Sequence, residues 1–241
     1  MSGANRRVQL AEGFVLHHRP YRDTSRIIEV FTREQGRLTL FARGVRGPNS
    51  RLAPVLQPFR RLLLSFMLGR GDAAQLSTAE LADPSAPGPR PGALMSAYYI
   101  NELLLKLTGR LDAQSTLFDA YAHALRRLAA AEPDAPLLRE FELELLQVCG
   151  YGIDFDELDP AHGYLFSAGA GFLLSESPDA LSGAALLALS QRDWAQPLAL
   201  VAAQKVLRAA LDHCLDGAEI RTRAVARSVR RQVSRNAQDT P

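Results

Sequence analysis

The sequence predicts an α+β chain in which a small β-barrel comes first and helices follow. Three observations predict it. Short β-branched and aromatic runs separated by turns fill the first third of the chain. The stretch Asp83-Pro84-Ser85-Ala86-Pro87-Gly88-Pro89-Arg90-Pro91-Gly92 then interrupts it with four prolines and two glycines. Beyond that stretch, apolar residues recur at helical spacing.

The first run lies within residues 8–18 and centres on Phe14-Val15-Leu16. Arg19-Pro20-Tyr21-Arg22-Asp23 is expected to break it, because proline donates nothing to a ladder. Residues 25–32, SRIIEVFT, read as the second strand, and Glu34-Gln35-Gly36 as a turn. The third strand covers 37–45. Its alternation puts Leu38, Leu40 and Ala42 on one face and Arg37, Thr39, Phe41 and Arg43 on the other. Residues 44–58 form a long Gly/Pro loop. Leu62-Leu63-Leu64-Ser65-Phe66-Met67 is the fourth strand and 74–81 the fifth. Five strands with a long third-to-fourth connection fit a five-stranded OB-fold barrel over residues 1–83.

The remainder, 93–235, reads as an α-helical domain. Helices are expected at 93–109, 113–131 and 135–148, with Gly109 and Gly150 as stops. An irregular insert at 153–177 carries a possible hairpin, Gly163–Phe166 against Gly171–Leu174. Helices at 178–190 and 195–215 follow, and a basic one at 218–233 closes the chain.

Composition narrows the function. Apolar residues make up 47% of the 241, enough for a folded core. No apolar run reaches the 18 or so residues of a membrane span, and no signal peptide is evident, so a cytoplasmic protein without membrane contact is expected. Two cysteines, Cys149 and Cys214, cannot build a Cys₄ zinc site. Charge is uneven. Residues 1–83 hold 13 arginines against seven acids, 84–218 nine bases against 17 acids, and 219–241 six arginines against two acids. A basic head and tail around an acidic middle point to a polyanion partner. Only Lys106 and Lys205 are lysines. Arginine's planar fork grips phosphate with two bonds and also stacks on bases.

The candidate nucleic-acid residues are Arg19, Arg22, Arg26, Arg33, Arg37, Arg43, Arg46 and Arg51 in the first domain, with Arg223 and Arg227 in the tail. For any single arginine a solvated face is the simpler account; the set has few acids between its members. Tyr21 and Phe41 are candidate stacking groups, or else core. His17 and His18 are neighbours on a strand and point to opposite faces, so they do not chelate one ion. Asp154, Asp156, Glu157 and Asp159 lack EF-hand spacing and read as a solvated acidic loop. No GxxxxGK[ST] loop is present. No catalytic residue, metal or cofactor is expected. Arg139 stands beside Leu138 and Phe141, either as an intrahelical partner of Glu142 or as the charged contact of an apolar pocket for an acidic peptide.

Four motifs carry a family resemblance: FVLHHRPYRDTSRIIEVFTREQGRLTLFARGVRG, LQPFRRLLLSF, YYINELLLKL and LREFELELLQVCGYGIDF. Together they resemble the bacterial recombination mediators of the RecO family over residues 12–155. The tail IRTRAVARSVR sits where that family has a basic helix. The resemblance implies a non-catalytic, nucleoid-associated DNA repair and recombination mediator. Such a protein binds single- and double-stranded DNA and anneals complementary strands. It engages the acidic C-terminal tail of single-stranded DNA-binding protein, and with RecR it helps load RecA. Arg139, Leu138 and Phe141 then look like the tail pocket, and the first-domain arginines like the DNA surface. Many members carry four cysteines in a zinc module after GYxxDF. Here that place reads Asp156-Glu157-Leu158-Asp159-Pro160-Ala161-His162-Gly163, so a zinc-free branch is implied. An OB-fold RNA-binding protein, or a scaffold without mediator activity, is the alternative.

Overall fold

The computed structural model describes residues 6–69, 71–130, 132–226 and 228. Its contacts divide the chain into two compact units, residues 1–131 and 132–241.

The first unit opens with five strands: β1 (Arg6–Tyr21), β2 (Ser25–Thr32), β3 (Gly36–Ala42), β4 (Arg61–Leu68) and β5 (Ala73–Leu81). They form a closed barrel in the order β1-β2-β3-β5-β4, with β4 returning to pair with β1. All neighbours are antiparallel except β3 and β5. The long 44–58 connection carries the chain from β3 across to β4. This is the predicted OB-type barrel. Its interior is filled by the apolar parity of each strand: Val15, Ile28, Val30, Leu38, Leu40, Leu62, Leu64 and Phe66. The alternation expected in β3 holds, with Leu38, Leu40 and Ala42 inside.

β1 runs further than the sequence suggests. Pro20 does not end it but sits opposite Arg26. Beyond Val15, which bridges Pro58, the strand pairs among the described residues with β2 alone, so the missing proline N–H is needed by no neighbour. Two bulges bend β1. The one between Val8 and Ala11 puts Leu10 at φ 50°, and its N–H donates to Ser65 Oγ at 3.1 Å. The other lies between Val15 and His17 and takes the Leu16 carbonyl out of the ladder.

That carbonyl fixes where the next helices sit. α1 (Leu94–Leu107) and α2 (Ser115–Ala129) cover the outer barrel face that carries Phe14, Leu16 and Phe31. Asn101 of α1 donates through Nδ2 to the Leu16 carbonyl at 2.9 Å. Its Oδ1 accepts from the Tyr121 hydroxyl of α2 at 2.6 Å. Asn101 and Tyr121 are both buried. The Tyr121 ring meets Phe14 edge-on at 5.1 Å, and Phe118 lies 5.4 Å from Phe14 and 5.7 Å from Phe31. At the β2–β3 turn, Gly36 has φ 66° and an added Cβ would lie 1.9 Å from the Asp112 carbonyl oxygen. Only glycine allows the α1–α2 loop this close, with Leu111 N–H bonded to the Arg37 carbonyl at 2.8 Å.

The sequence suggests a division in the proline-rich stretch 83–92, whereas the compact unit extends to residue 131. The reason is burial. The apolar faces of α1 and α2 lie on the barrel, so the two helices belong to its unit.

The second unit holds α3 (Asp134–Val148), a small antiparallel sheet of β6 (Gly163–Ser167), β7 (Gly171–Leu174) and β8 (Leu181–Ser182), then α4 (Gly183–Ser190) and α5 (Pro197–Cys214). The predicted hairpin is β6–β7, with Tyr164 opposite Leu174. α4 starts later than the sequence suggests, because Ser182 caps it by accepting from Ala185 N–H. α5 packs on α3 and α4 through a small-residue face, Ala199, Ala202, Ala203 and Ala210, beside Val206 and Leu207. Of the basic helix expected at 218–233, residues 218–220 are not helical, 221–226 and 228 are, and 227 and 229–233 lie outside the described residues.

Replacing Asn101 with Ala strands a buried carbonyl and a buried hydroxyl. It should cost about 2–4 kcal/mol in urea unfolding, against about 1–2 for Tyr121→Phe. The double variant should cost clearly less than the sum. Additive losses would mean that the two side chains do not share one network.

Candidate nucleic-acid interface

With one outer face under α1 and α2, the barrel keeps another face open. Cross-strand register builds it in rows. Arg19 stands opposite Ile27, and Ile27 opposite Phe41. One row towards the helices, His17 stands opposite Glu29, and Glu29 opposite Thr39. At the far end the β1–β2 turn, residues 22–24, meets the exit of β3.

Two rings and two guanidiniums meet at that end. Tyr21 lies edge-on to Phe41 with centroids 5.4 Å apart. The Arg22 guanidinium sits 5.4 Å from the Tyr21 centroid, and that of Arg43 lies 5.7 Å from Phe41. Both rings are half-buried and both arginines exposed. The loop after β3 is tied to the turn. Arg46 N–H donates to the Thr24 carbonyl at 2.8 Å, and Arg46 Nη1 to the Arg22 carbonyl at 3.2 Å. Arg22, Arg43 and Arg46 thus gather around two aromatic rings, a combination that stacks bases and holds phosphates. Tyr21 and Phe41 are half-buried and are not among the buried core residues.

Beside this cluster the face dips into a cavity of about 270 Å³. Arg19, His17 and Arg110 line it from the exposed side, while Ile27, Glu29 and the buried Thr39 lie deeper. Asp72 and Ala73, at the start of β5, complete the wall. Arg110 Nη2 donates to the Asp72 carbonyl. Glu29 accepts from the Thr39 hydroxyl and from Arg37 Nη1, the latter at 3.3 Å.

Several expected DNA arginines have structural partners. Arg37 donates to the Thr108 carbonyl through Nη2 at 2.9 Å and pairs with Glu29. Arg33 grips Asp119 of α2 with both guanidinium nitrogens, one bond at 2.8 Å, and the carboxylate raises its already high pKa. Arg26 is half-buried on the inward parity of β2, opposite Pro20 and Ala42. Arg19 lines the cavity, and Arg51 is exposed on the β3–β4 connection. His17 and His18 do fall on opposite parities, opposite Glu29 and Ile28. Burial, then the charge of Arg26, then His17 lower the His18 pKa. Among the described residues no group of three or more His, Cys, Asp or Glu side chains is placed to hold a metal.

In the second unit Arg139 Nη1 lies 2.8 Å from the carboxylate of fully buried Glu142. Phe141 is core and Leu138 half-buried. Arg223 pairs with Asp212 at 2.7 Å, and Arg227 lies outside the described residues. Acids of the 154–159 loop shape turns: Asp154 accepts from Asp156 N–H and Asp159 from Ala161 N–H. Residues 156–163 contain no cysteine, so they cannot supply the thiolates of a Cys₄ zinc site. Cys214 is a half-buried thiol whose pKa burial pushes up to about 11, the setting of an inert cysteine.

Sequence reasoning missed Glu29, Asp72 and Arg110. The alternation of SRIIEVFT already places Glu29 beside Ile27 on the outer face, and that signal could have found it. Arg110 and Asp72 reach the cavity only through tertiary packing.

The family model for the N-terminal part of recombination protein O matches residues 7–85, and that for its C-terminal part matches 90–158. A DNA repair protein RecO of Cupriavidus metallidurans is 36% identical over 231 residues, covering 91% of this chain and 77% of its own. The chain belongs to the RecO family. RecO of Glaesserella parasuis is 37% identical over 92% of this chain and 96% of its own, and RecO of an Azoarcus species 37% over 91% and 95%. As in that family, the role is in DNA repair and recombination. The two RecO models meet between residues 85 and 90, in the proline-rich stretch. No helix among the described residues is long and apolar enough to cross a membrane.

The lowered His18 pKa has a consequence for stability. Below the ordinary histidine value of about 6.5 the unfolded chain takes up a proton that the folded one resists. Stability should therefore be full above that value and fall as pH drops below it. A His18→Gln variant should show a flatter urea midpoint between pH 7.5 and pH 5.5. An unchanged slope would remove His18 as the cause.

Proposed function

We propose that this RecO-family protein is a non-catalytic mediator, working in the cytoplasm at the nucleoid. In this reading it binds single- and double-stranded DNA, anneals complementary strands and engages the tail of single-stranded DNA-binding protein. With RecR it helps RecA load. One observation supports the DNA surface above the rest: the Arg22–Tyr21–Phe41–Arg43 cluster with Arg46 on the open face of an OB-type barrel. That face is where such barrels take oligonucleotides. Phosphate contacts supply affinity without sequence discrimination, so the surface suits a protein acting at any damaged site.

The geometry refines the set of arginines. Arg22, Arg43, Arg46, Arg19 and Arg51 are exposed and form our primary DNA surface. Arg33 and Arg37 support the barrel and act indirectly. Arg223, paired with Asp212, would give a secondary contact, and Arg227, also a candidate, lies outside the described residues. Arg139 and Leu138 form the accessible edge of the proposed tail site. Arg139 would exchange part of its pairing with Glu142 for the peptide's carboxylates, and Phe141 would back it from the core.

Two sets of variants separate the sites. Replacing Arg22, Arg43 and Arg46 together with Glu should weaken binding to all single-stranded sequences by at least tenfold. It should also flatten the salt dependence, since log K falls by about 0.7 per phosphate contact for each tenfold rise in salt. Arg139→Ala should weaken binding of an acidic, apolar tail peptide and spare DNA binding. Salt-independent DNA binding by the wild type would contradict the first assignment, and equal loss of DNA and peptide in Arg139→Ala the second.

A further inference from the structure

The cavity beside the aromatic cluster is not explained by phosphate binding. Its charges nearly cancel. Arg19 and Arg110 supply two positive groups, while Glu29 and Asp72 supply two carboxylates. A phosphate entering it would meet Glu29 at depth, and a metal ion would meet two guanidiniums at the rim. The remaining chemistry is that of a flat, neutral, polar group. Ile27 and the Ala73 methyl offer apolar wall, and Thr39 and Glu29 offer oxygen atoms.

Position points the same way. Ile27 lines the cavity and stands directly opposite Phe41 in the β2–β3 ladder. Phe41 is the ring that Tyr21 meets edge-on and Arg43 covers. A strand held over Tyr21 and Phe41 therefore reaches the cavity with its next base, and Arg19 stands opposite Ile27 at the crossing. We propose that this cavity receives one unstacked nucleobase of the bound strand and that Glu29 reads it, favouring bases that present an exocyclic amino group. The proposal rests on the single-strand binding proposed above and specifies what the open face recognises.

The carboxylate sets the preference. Glu29 has one oxygen bonded by Thr39 and the other by Arg37, which fixes its orientation and leaves each oxygen a further acceptor direction. Its side chain keeps 21% of its surface exposed. Cytosine offers the N4 amino group to such an acceptor. Uracil offers only N3–H there, flanked by two carbonyl oxygens that a carboxylate repels. The two bases are otherwise alike in size, so the comparison isolates the 4-substituent. A preference for amino-bearing bases would be mild, because one base per site is read and the backbone contacts are indifferent to sequence.

The test is competition between oligo(dC) and oligo(dU) of equal length for the full-length protein, at neutral pH and one salt concentration. The wild type should prefer oligo(dC) by about fivefold, within the range for one specific base contact. Glu29→Gln, which presents a donor as well as an acceptor, should reduce the preference towards unity. Because Glu29 also holds Arg37, a second variant acts from the opposite wall. Ala73→Leu fills the cavity, keeps the carboxylate, and should abolish the preference while leaving salt-dependent binding in place. Equal affinity of the wild type for both oligonucleotides overturns the cavity reading even when binding is tight. A preference that survives Ala73→Leu also overturns it. Failure of every oligonucleotide to bind with salt dependence would instead remove the DNA-binding reading itself.

Discussion

The first unit depends on one buried amide. Asn101 bridges a barrel carbonyl and a helix hydroxyl, and both partners would otherwise be stranded inside. The β1 bulge creates the need, since it turns the Leu16 carbonyl out of the ladder towards the incoming helices. Asn101 meets that need with its N–H and leaves its oxygen for Tyr121. Magnitude favours this link over the ion pair nearby. Arg33 and Asp119 form a fork, but both are substantially exposed, and solvent screens such pairs strongly. A buried group left unsatisfied costs about 1–3 kcal/mol. The aromatic contacts of Phe14 and Phe31 with Phe118 and Tyr121 add apolar burial, whose hydrophobic part is not directional. They hold the helices on; the amide decides where.

Function follows from what that docking leaves uncovered. α1 and α2 occupy the outer face carrying Phe14, Leu16 and Phe31. The face carrying Tyr21, Phe41, Arg19, Arg22 and Arg43 stays open, and the loop after β3 is tied to the β1–β2 turn through Arg46. Arginine consequently does two jobs in this unit. Arg33 and Arg37 brace the barrel against the helices and their loop, while Arg22, Arg43 and Arg46 face solvent beside aromatic rings. A basic stretch that looks uniform along the chain is divided by folding into bracing residues and solvent-facing ones, and the latter are our proposed DNA surface.

This division explains how far the sequence could be read. Strand alternation exposed the barrel interior, and the β3 split into Leu38, Leu40 and Ala42 against Arg37, Thr39, Phe41 and Arg43 was legible from period two alone. The hairpin at 163–174 was legible from its glycines. Pro20 misled, because a proline is harmless where a strand has one neighbour, and the number of neighbours is a tertiary property. The stretch 83–92 has linker composition and is where the two family models meet, yet the helices beyond it bury their faces on the barrel, so the compact unit runs on to residue 131. Asn101 stood in YYINELLLKL as a polar residue in an apolar helix face, but its partner is a bulge carbonyl 85 residues away. Arg33 and Asp119, 86 residues apart, are as far beyond local reading.

We propose that docking of α1 and α2 confines DNA to the open face. Hydrogen–deuterium exchange of the full-length protein with and without a mixed-sequence single strand tests it most directly. On binding, amides of residues 21–24 and 41–46 should gain protection, and those of 28–33 and 115–124, on the helix-covered side, should not change. Protection confined to the helix-covered side, with 21–24 and 41–46 unaffected, would contradict the account.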